Sequence, residues 1–206
     1  METMKPLEHF FEPDPRSEAL VVFEEGTGQR RQMTLADHYE SLSELQLNPA
    51  VPESVVSYFN VVKSLYLYGW VYYPFFTTCR FTTAMAIEMA LRVRQPHPAG
   101  PEDRRTLKTL LRTAIDTGIL RDDGFPSLPV RREQTQQMWD SFDEATGRKT
   151  APDIKTYVEI LLEGLPKIRN VFAHPHEDWL VMPLTALDAV YLTVEVINQL
   201  WPVTRP

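Results

Sequence analysis

The chain has 206 residues, of which 43% are hydrophobic and 24% are charged, and its formal net charge is −7. This length and composition predict one folded domain, or one domain with a small appendage. The acidic balance argues against a protein that coats nucleic acid non-specifically, so RNA binding would require a local basic cleft. A single cysteine, Cys79, excludes an internal disulfide and a cysteine zinc cluster.

No apolar run approaches the length of a membrane span, and residues 1–6 lack the core of a signal peptide. We therefore expect a cytoplasmic protein that does not contact a membrane. The acidic charge is concentrated in residues 1–50, which hold ten acidic and four basic residues, a net charge of −6. The remaining residues carry eighteen acidic and seventeen basic side chains, a net charge of −1.

Residues 1–50 are predicted to form an acidic N-terminal arm. Three prolines within residues 5–18 indicate irregular structure, and the β-prone runs 19–23 and 29–33 flank a Gly-Thr-Gly turn. A small β-hairpin is therefore expected. Thr34 is then predicted to cap a short helix over residues 35–45.

Residues 51–206 carry the pattern of a helical bundle. Apolar side chains recur at helical spacing over residues 52–68, 74–94, 152–173 and 183–200, which predicts four core helices. Residues 102–117 predict one additional helix, and residues 121–150 read as an irregular insertion. The predicted fold is mainly all-α, an up-and-down bundle with a hairpin at its edge.

An aromatic run from Tyr68 to Phe76 lies between the first two core helices. A base-stacking platform is one interpretation, but a buried helix–helix corner is the commoner reason for such a run. In the second core helix, Arg80 and Glu88 need partners, because unpaired buried charge is costly. We expect the two to pair with each other.

A basic stretch lies between residues 92 and 112. Six basic residues against Glu102 and Asp103 give a net charge of +4. The alternative to an RNA-facing patch is an ordinary solvated helix face. The candidate RNA-contacting residues are Arg92, Arg94, Arg104, Arg105, Lys108 and Arg112.

The strongest candidate site is Arg169-Asn170-Val171-Phe172-Ala173-His174. Arg169 offers a charged fork that matches phosphate oxygens, and His174 can transfer protons near neutral pH. Asn170 precedes His174 by four residues, so a continuing helix would place both on one face. Gly164 and Pro166 predict a kink or break just before the motif. Alternatively, Arg169 and His174 only interact with terminal carbonyls at a helix end or with a neighbouring carboxylate.

The Arg-x4-His spacing with a polar residue after the arginine resembles the motif of HEPN-domain proteins, which are all-α bundles. The alanine-, glutamate- and leucine-containing segment 84–92 is also similar to a helix of that family. The resemblance covers the chain after about residue 50, and His176 fits the looser Arg-x6-His form. The resemblance also suggests that Glu88 supports Arg169, which is an alternative to a pair between Glu88 and Arg80.

The resemblance implies a metal-independent endoribonuclease in a toxin–antitoxin, abortive-infection or other defence role. It also implies a homodimer that brings two motifs together, and an antitoxin or regulatory protein as a further partner. The pair Asp122-Asp123 alone is weak evidence for a metal site. The sequence contains no P-loop, dinucleotide-binding, zinc-protease or serine-hydrolase motif. We therefore expect no metal and no cofactor. The alternative function is a non-catalytic HEPN-like module for dimerisation, regulation or nucleotide binding.

Overall fold

The computed structural model describes residues 4–24, 26–97, 103–127, 156–173 and 180–203. Within these ranges the chain is mainly helical, with a two-stranded antiparallel sheet near the N-terminus, which confirms the predicted fold class. The strands are β1 (Val21–Phe23) and β2 (Arg30–Gln32). The α-helices are α1 (Pro15–Glu18), α2 (Leu35–Ser43), α3 (Glu53–Tyr68), α4 (Pro74–Arg94), α5 (Leu107–Asp116), α6 (Tyr157–Ala173) and α7 (Pro183–Leu200).

Proline marks the start of three long helices. Pro52 is the N-cap residue of α3, and Pro74 and Pro183 are the first residues of α4 and α7. Proline fits this position because its fixed φ is helical and its missing N–H would have no intrahelical acceptor. The bounds of α3, α4 and α7 therefore agree with the sequence prediction to within one residue.

Helix α4 is the centre of the bundle, since it packs against α3, α5, α6 and α7. One stripe of its side chains is buried, namely Phe76, Cys79, Thr83, Ile87 and Leu91. Buried alanines at positions 84, 86 and 90 let the neighbouring helices approach closely. The apolar core thus surrounds α4 on several sides.

Helices α4 and α7 run in the same direction. Arg94 at the end of α4 donates from Nε to the Leu200 carbonyl at the end of α7, at 2.8 Å. At the other end, the Val181 N–H donates to Thr77 Oγ1 at 3.0 Å. Parallel second and fourth core helices are what an up-and-down bundle of four requires.

One predicted helix start was wrong, and of the kink or break predicted before the motif the structure excludes the break. Helix α5 begins at Leu107 rather than at residue 102, because Thr106 caps it by accepting the Thr109 N–H at 3.2 Å. Helix α6 continues from Tyr157 to Ala173 through Pro166, so no break precedes the motif. The predicted start of this helix at residue 152 and most of the 121–150 insertion lie outside the described residues.

The inner side of the aromatic run between α3 and α4 packs in the core, together with Tyr66 of α3. Tyr66, Tyr73 and Phe76 are buried, and the ring centroids of Tyr66 and Tyr73 lie 5.4 and 5.3 Å from that of Phe76. His38 of α2 is also buried here, and its Nδ1 lies 2.9 Å from the Tyr66 hydroxyl oxygen. The interpretation as a helix–helix corner therefore holds for the inner side of the run.

Asp14 attaches the N-terminal arm to this corner. Its N–H donates to the Trp70 carbonyl at 2.8 Å, and its carboxylate accepts the Tyr73 N–H at 3.1 Å. The same carboxylate accepts the backbone N–H, Nε and Nη2 of Arg16 at 2.9–3.0 Å. Burial alone would raise the pKa of Asp14, but these hydrogen bonds outweigh it and hold the pKa at about 2.

The hairpin pairs Val22 with Arg31, and its turn uses Gly26 and Gly28 with φ of +83° and +65°. Such left-handed conformations favour glycine. Both strands are short and largely exposed, so the hairpin lies at the edge of the molecule. None of the described helices combines the length and apolar character needed to cross a membrane.

Candidate functional site

Arg169 lies in the last two turns of α6, with 39% of its side chain exposed. Asn170 follows it and is exposed. The motif arginine is thus available to solvent, which a phosphate-binding side chain requires. The two candidate histidines, His174 and His176, lie outside the described residues.

Glu88 of α4 approaches Arg169 from inside the bundle. Its Oε2 lies 3.7 Å from Arg169 Nε, and the residue is only 9% exposed. This separation is an ion pair but is too long for a hydrogen bond. Within the described part of the chain, Glu88 Oε2 is buried and accepts no hydrogen bond. The carboxylate therefore attracts the Arg169 guanidinium without occupying its donors.

The other oxygen of Glu88 is firmly bound. Oε1 accepts hydrogen bonds from Arg92 Nη2 at 2.8 Å and from Arg92 Nε at 3.3 Å. Arg92 is one helical turn after Glu88, so the pair follows the i, i+4 geometry of a helix face. Arg92 fixes the carboxylate, and the free oxygen of that carboxylate faces Arg169.

The expected pair of Glu88 with Arg80 has a geometric difficulty. Eight residues of one helix separate them, a rise of about 12 Å. The ion pairs described for Glu88 are instead with Arg92 and Arg169. Arg80 is half-buried, and burial lowers the pKa of its guanidinium. Of the two partners considered for Glu88, the geometry thus favours Arg169.

A second network engages part of the basic stretch. Asp103 accepts the backbone N–H and Nε of Arg105 at 3.0 and 2.9 Å, and Arg92 Nη1 lies 3.2 Å from Asp103 Oδ2. Hydrogen bonds from Arg105 are the main reason that the pKa of Asp103 lies well below its usual range. Arg92 also donates to the Arg105 carbonyl at 2.6 Å. Arg92 and Arg105 therefore have internal structural partners.

The rest of the basic stretch divides between two places. Arg104, Lys108 and Arg112 are exposed beside or on α5. Arg94 is bound to the end of α7 and lines a separate open cavity of about 720 Å³. Of the six predicted RNA-contacting residues, two therefore have acidic partners, and three exposed cations lie on or beside α5.

Asp122 caps the motif helix, a role that the sequence did not predict. Its two carboxylate oxygens accept the N–H groups of Tyr157 and Val158 at 3.1 and 3.0 Å. A carboxylate at this position also interacts favourably with the positive end of the helix dipole. Asp122 lies 35 residues before Tyr157, and no local spacing reveals such a contact.

The described residues contain no group of three or more histidine, cysteine, aspartate or glutamate side chains placed to hold a metal ion. Comparisons with protein-family models, curated proteins and solved structures find no match to this chain.

Proposed function

We propose that the chain is a HEPN-like, metal-independent endoribonuclease of the cytoplasm with a defence or stress role. The observation that supports this most is the setting of Arg169. Arg169 is a partly exposed arginine near the end of α6. It lies beside the Glu88 carboxylate, whose Oε2 is 3.7 Å from Arg169 Nε and accepts no hydrogen bond from it. His174 follows five residues later in the sequence.

In the proposed reaction, one His174 removes the proton from an RNA 2′-hydroxyl, whose oxygen then attacks the adjacent phosphorus. The bond from phosphorus to the 5′-oxygen breaks, and a histidinium returns a proton to that oxygen. Arg169 stabilises the negative charge on the phosphate oxygens, and Asn170 positions the histidine or the phosphate. The products are a 2′,3′-cyclic phosphate and a 5′-hydroxyl.

The reaction needs a base and an acid on opposite sides of the phosphate, and each chain offers one motif histidine in this scheme. A homodimer that brings two motifs together supplies both. Glu88 would orient Arg169 from behind, because its free carboxylate oxygen lies 3.7 Å from Arg169 Nε. An antitoxin or regulatory protein would control access to such a site.

The test is cleavage of single-stranded RNA in the presence of EDTA. His174→Ala should reduce the rate by about 10²–10⁴-fold, the usual contribution of an acid–base residue. Arg169→Ala should be similarly inactive, His176→Ala should retain most activity, and Phe23→Ala serves as a surface control. Inactivity of the wild-type dimer, or loss of activity only in His176→Ala, would refute this assignment.

A non-catalytic dimerisation, regulatory or nucleotide-binding module is the second candidate. One observation favours it: Arg92 and Arg105 are engaged by Glu88 and Asp103, which leaves less positive surface for RNA. Sedimentation velocity combined with the cleavage assay separates the two functions. A stable dimer that binds a nucleotide but leaves every RNA intact would support the module.

A further inference from the structure

An open groove of about 800 Å³ lies between the N-terminal arm, α2 and the outer side of the α3–α4 corner. We call it the arm groove. Its principal lining residues are Phe10, Phe11, Leu35, Tyr39, Tyr68 and Phe75. Helix α6, which carries Arg169, packs on α4 and α5, so the arm groove is a feature separate from the motif.

The aromatic side chains of the arm groove are unusually exposed. Phe11, Tyr39 and Tyr68 are 83%, 63% and 58% exposed. Scattered apolar side chains are common on protein surfaces, but a contiguous apolar patch lined by polar residues marks an interaction site. Rigid aromatic side chains are also the residues that most often contribute strongly to binding.

The apolar surface continues along α3. A shallow hollow formed by Ser57, Asn60, Val61 and Leu65 adjoins the arm groove, and both contain Ser64 and Tyr68. From Ser57 to Tyr68 the helix rises by about 16 Å, or three turns. This length matches a short helix that inserts apolar side chains at positions i, i+3 or i+4, and i+7.

The charges beside the arm groove are mainly acidic. Glu8, Glu12 and Glu40 are exposed, and Glu12 and Glu40 directly follow the lining residues Phe11 and Tyr39. His9 Nδ1 lies 2.9 Å from Glu12 Oε1, but both side chains are more than half exposed. Lys63, which precedes the lining residue Ser64, is partly buried and donates to the Leu45 carbonyl at 3.2 Å. Among the described residues that line the groove, Lys5 is the one with a basic side chain, and its Nζ donates to the carbonyls of Glu12 and Pro13 at 2.6 and 3.3 Å. A complementary partner therefore carries positive charge.

We propose that the arm groove binds an amphipathic helix of a partner protein. Aliphatic or aromatic side chains of that helix enter the groove, and its flanking lysines or arginines face Glu8, Glu12 and Glu40. Apolar contact supplies the affinity, while charge complementarity sets orientation and association rate. This proposal does not depend on ribonuclease activity.

The experiment titrates the full chain with a fluorescent synthetic peptide of about four helical turns, with leucines on one face and lysines elsewhere. One control peptide has the same composition in scrambled order, and another replaces every lysine by glutamate. Fluorescence anisotropy should show micromolar binding of the first peptide alone. Equal binding of the scrambled peptide would overturn the proposal, as would no binding of the amphipathic peptide.

Variants locate the binding site. Phe11→Ala and Tyr39→Ala should each weaken binding at least about tenfold, as expected for aromatic residues that contribute strongly. Phe23→Ala is the matched control, since Phe23 is 71% exposed on the hairpin and does not line the groove. Glu40→Lys should weaken binding of the lysine peptide and strengthen binding of the glutamate peptide. Unchanged binding in the Phe11 and Tyr39 variants would overturn the proposal.

Two other occupants have distinct outcomes in the same experiment. If Phe11→Ala converts a dimer into a monomer in sedimentation velocity, the groove holds a second copy of this chain, and the proposal is wrong. If anilinonaphthalene sulfonate binds with dependence on Phe11 while the peptide does not bind, the occupant is a small apolar molecule. That result would also overturn the proposal.

Discussion

Substitution of Gly69 by alanine tests how tightly the aromatic corner is packed. Gly69 ends α3 with φ of −55° and ψ of −26°, a conformation that any residue adopts. A Cβ atom at this position would lie 2.6–2.7 Å from three ring atoms of Phe76. Phe76 is fully buried against Tyr66 and Tyr73, so its ring cannot move aside freely. Gly69 is therefore required for space and not for backbone freedom.

Gly69→Ala should destabilise the protein. Inserting a methyl group into a well-packed core costs about 1–3 kcal/mol, whereas replacing helical glycine by alanine gains up to about 1 kcal/mol. The expected net loss is about 1–2 kcal/mol. Gly164→Ala is the matched control, because this glycine lies within α6 and no atom would approach its Cβ within 4 Å. It should stabilise the protein by about 0.5–1 kcal/mol.

Urea unfolding followed by far-ultraviolet circular dichroism measures both changes. The double variant Gly69→Ala with Phe76→Leu should show favourable coupling, because the smaller side chain makes room for the added methyl group. If Gly69→Ala and Gly164→Ala stabilise the protein equally, the packing argument for the aromatic corner is refuted.

Three further predictions concern titratable groups. Burial lowers the pKa of His38 despite the nearby Asp37, so the imidazole takes up a proton more readily in the unfolded chain. The free energy of unfolding should therefore fall as the pH drops below about 6.5, and that of His38→Phe should depend less on pH in this range. The pKa of Asp14 is held at about 2, so its contribution to stability is present above about pH 4 and is lost as the pH falls towards 2. At pH 7, Asp14→Asn should lower the free energy of unfolding in urea by about 2 kcal/mol. An unchanged urea midpoint would contradict this. Burial raises the pKa of the Cys79 thiol to about 12. A disulfide reagent at pH 8 should therefore label this thiol only at urea concentrations that unfold the chain. Rapid labelling of the native protein would disagree with the structure.

The helices were predictable where local chemistry determines them. Regular apolar spacing and a proline at the start located α3, α4 and α7 almost to the residue. The start of α5 was placed too early, at residue 102, whereas the helix begins at Leu107 and Asp103 precedes it. Asp103 instead binds Arg105, and Thr106 provides the cap.

The candidate site was only partly predictable, because its contacts join distant parts of the chain. The ion pair between Glu88 and Arg169 connects two helices and was one of two alternatives from the sequence. Acidic partners neutralise Arg92 and Arg105, so the positive charge of residues 92–112 is smaller than the sequence suggested. Net charge along a segment does not reveal which side chains the fold itself engages.

The attachment of the N-terminal arm has a thermodynamic consequence. Asp14 binds the backbone of Tyr73, while Phe10 and Phe11, a few residues earlier, form one wall of the arm groove. Detachment of Asp14 would remove that wall, so docking of the arm and occupancy of the groove are linked equilibria. A ligand in the groove would stabilise the docked arm by the same free energy by which the docked arm stabilises the bound ligand. Acidification that protonates Asp14 would weaken both the docking of the arm and the binding of the ligand.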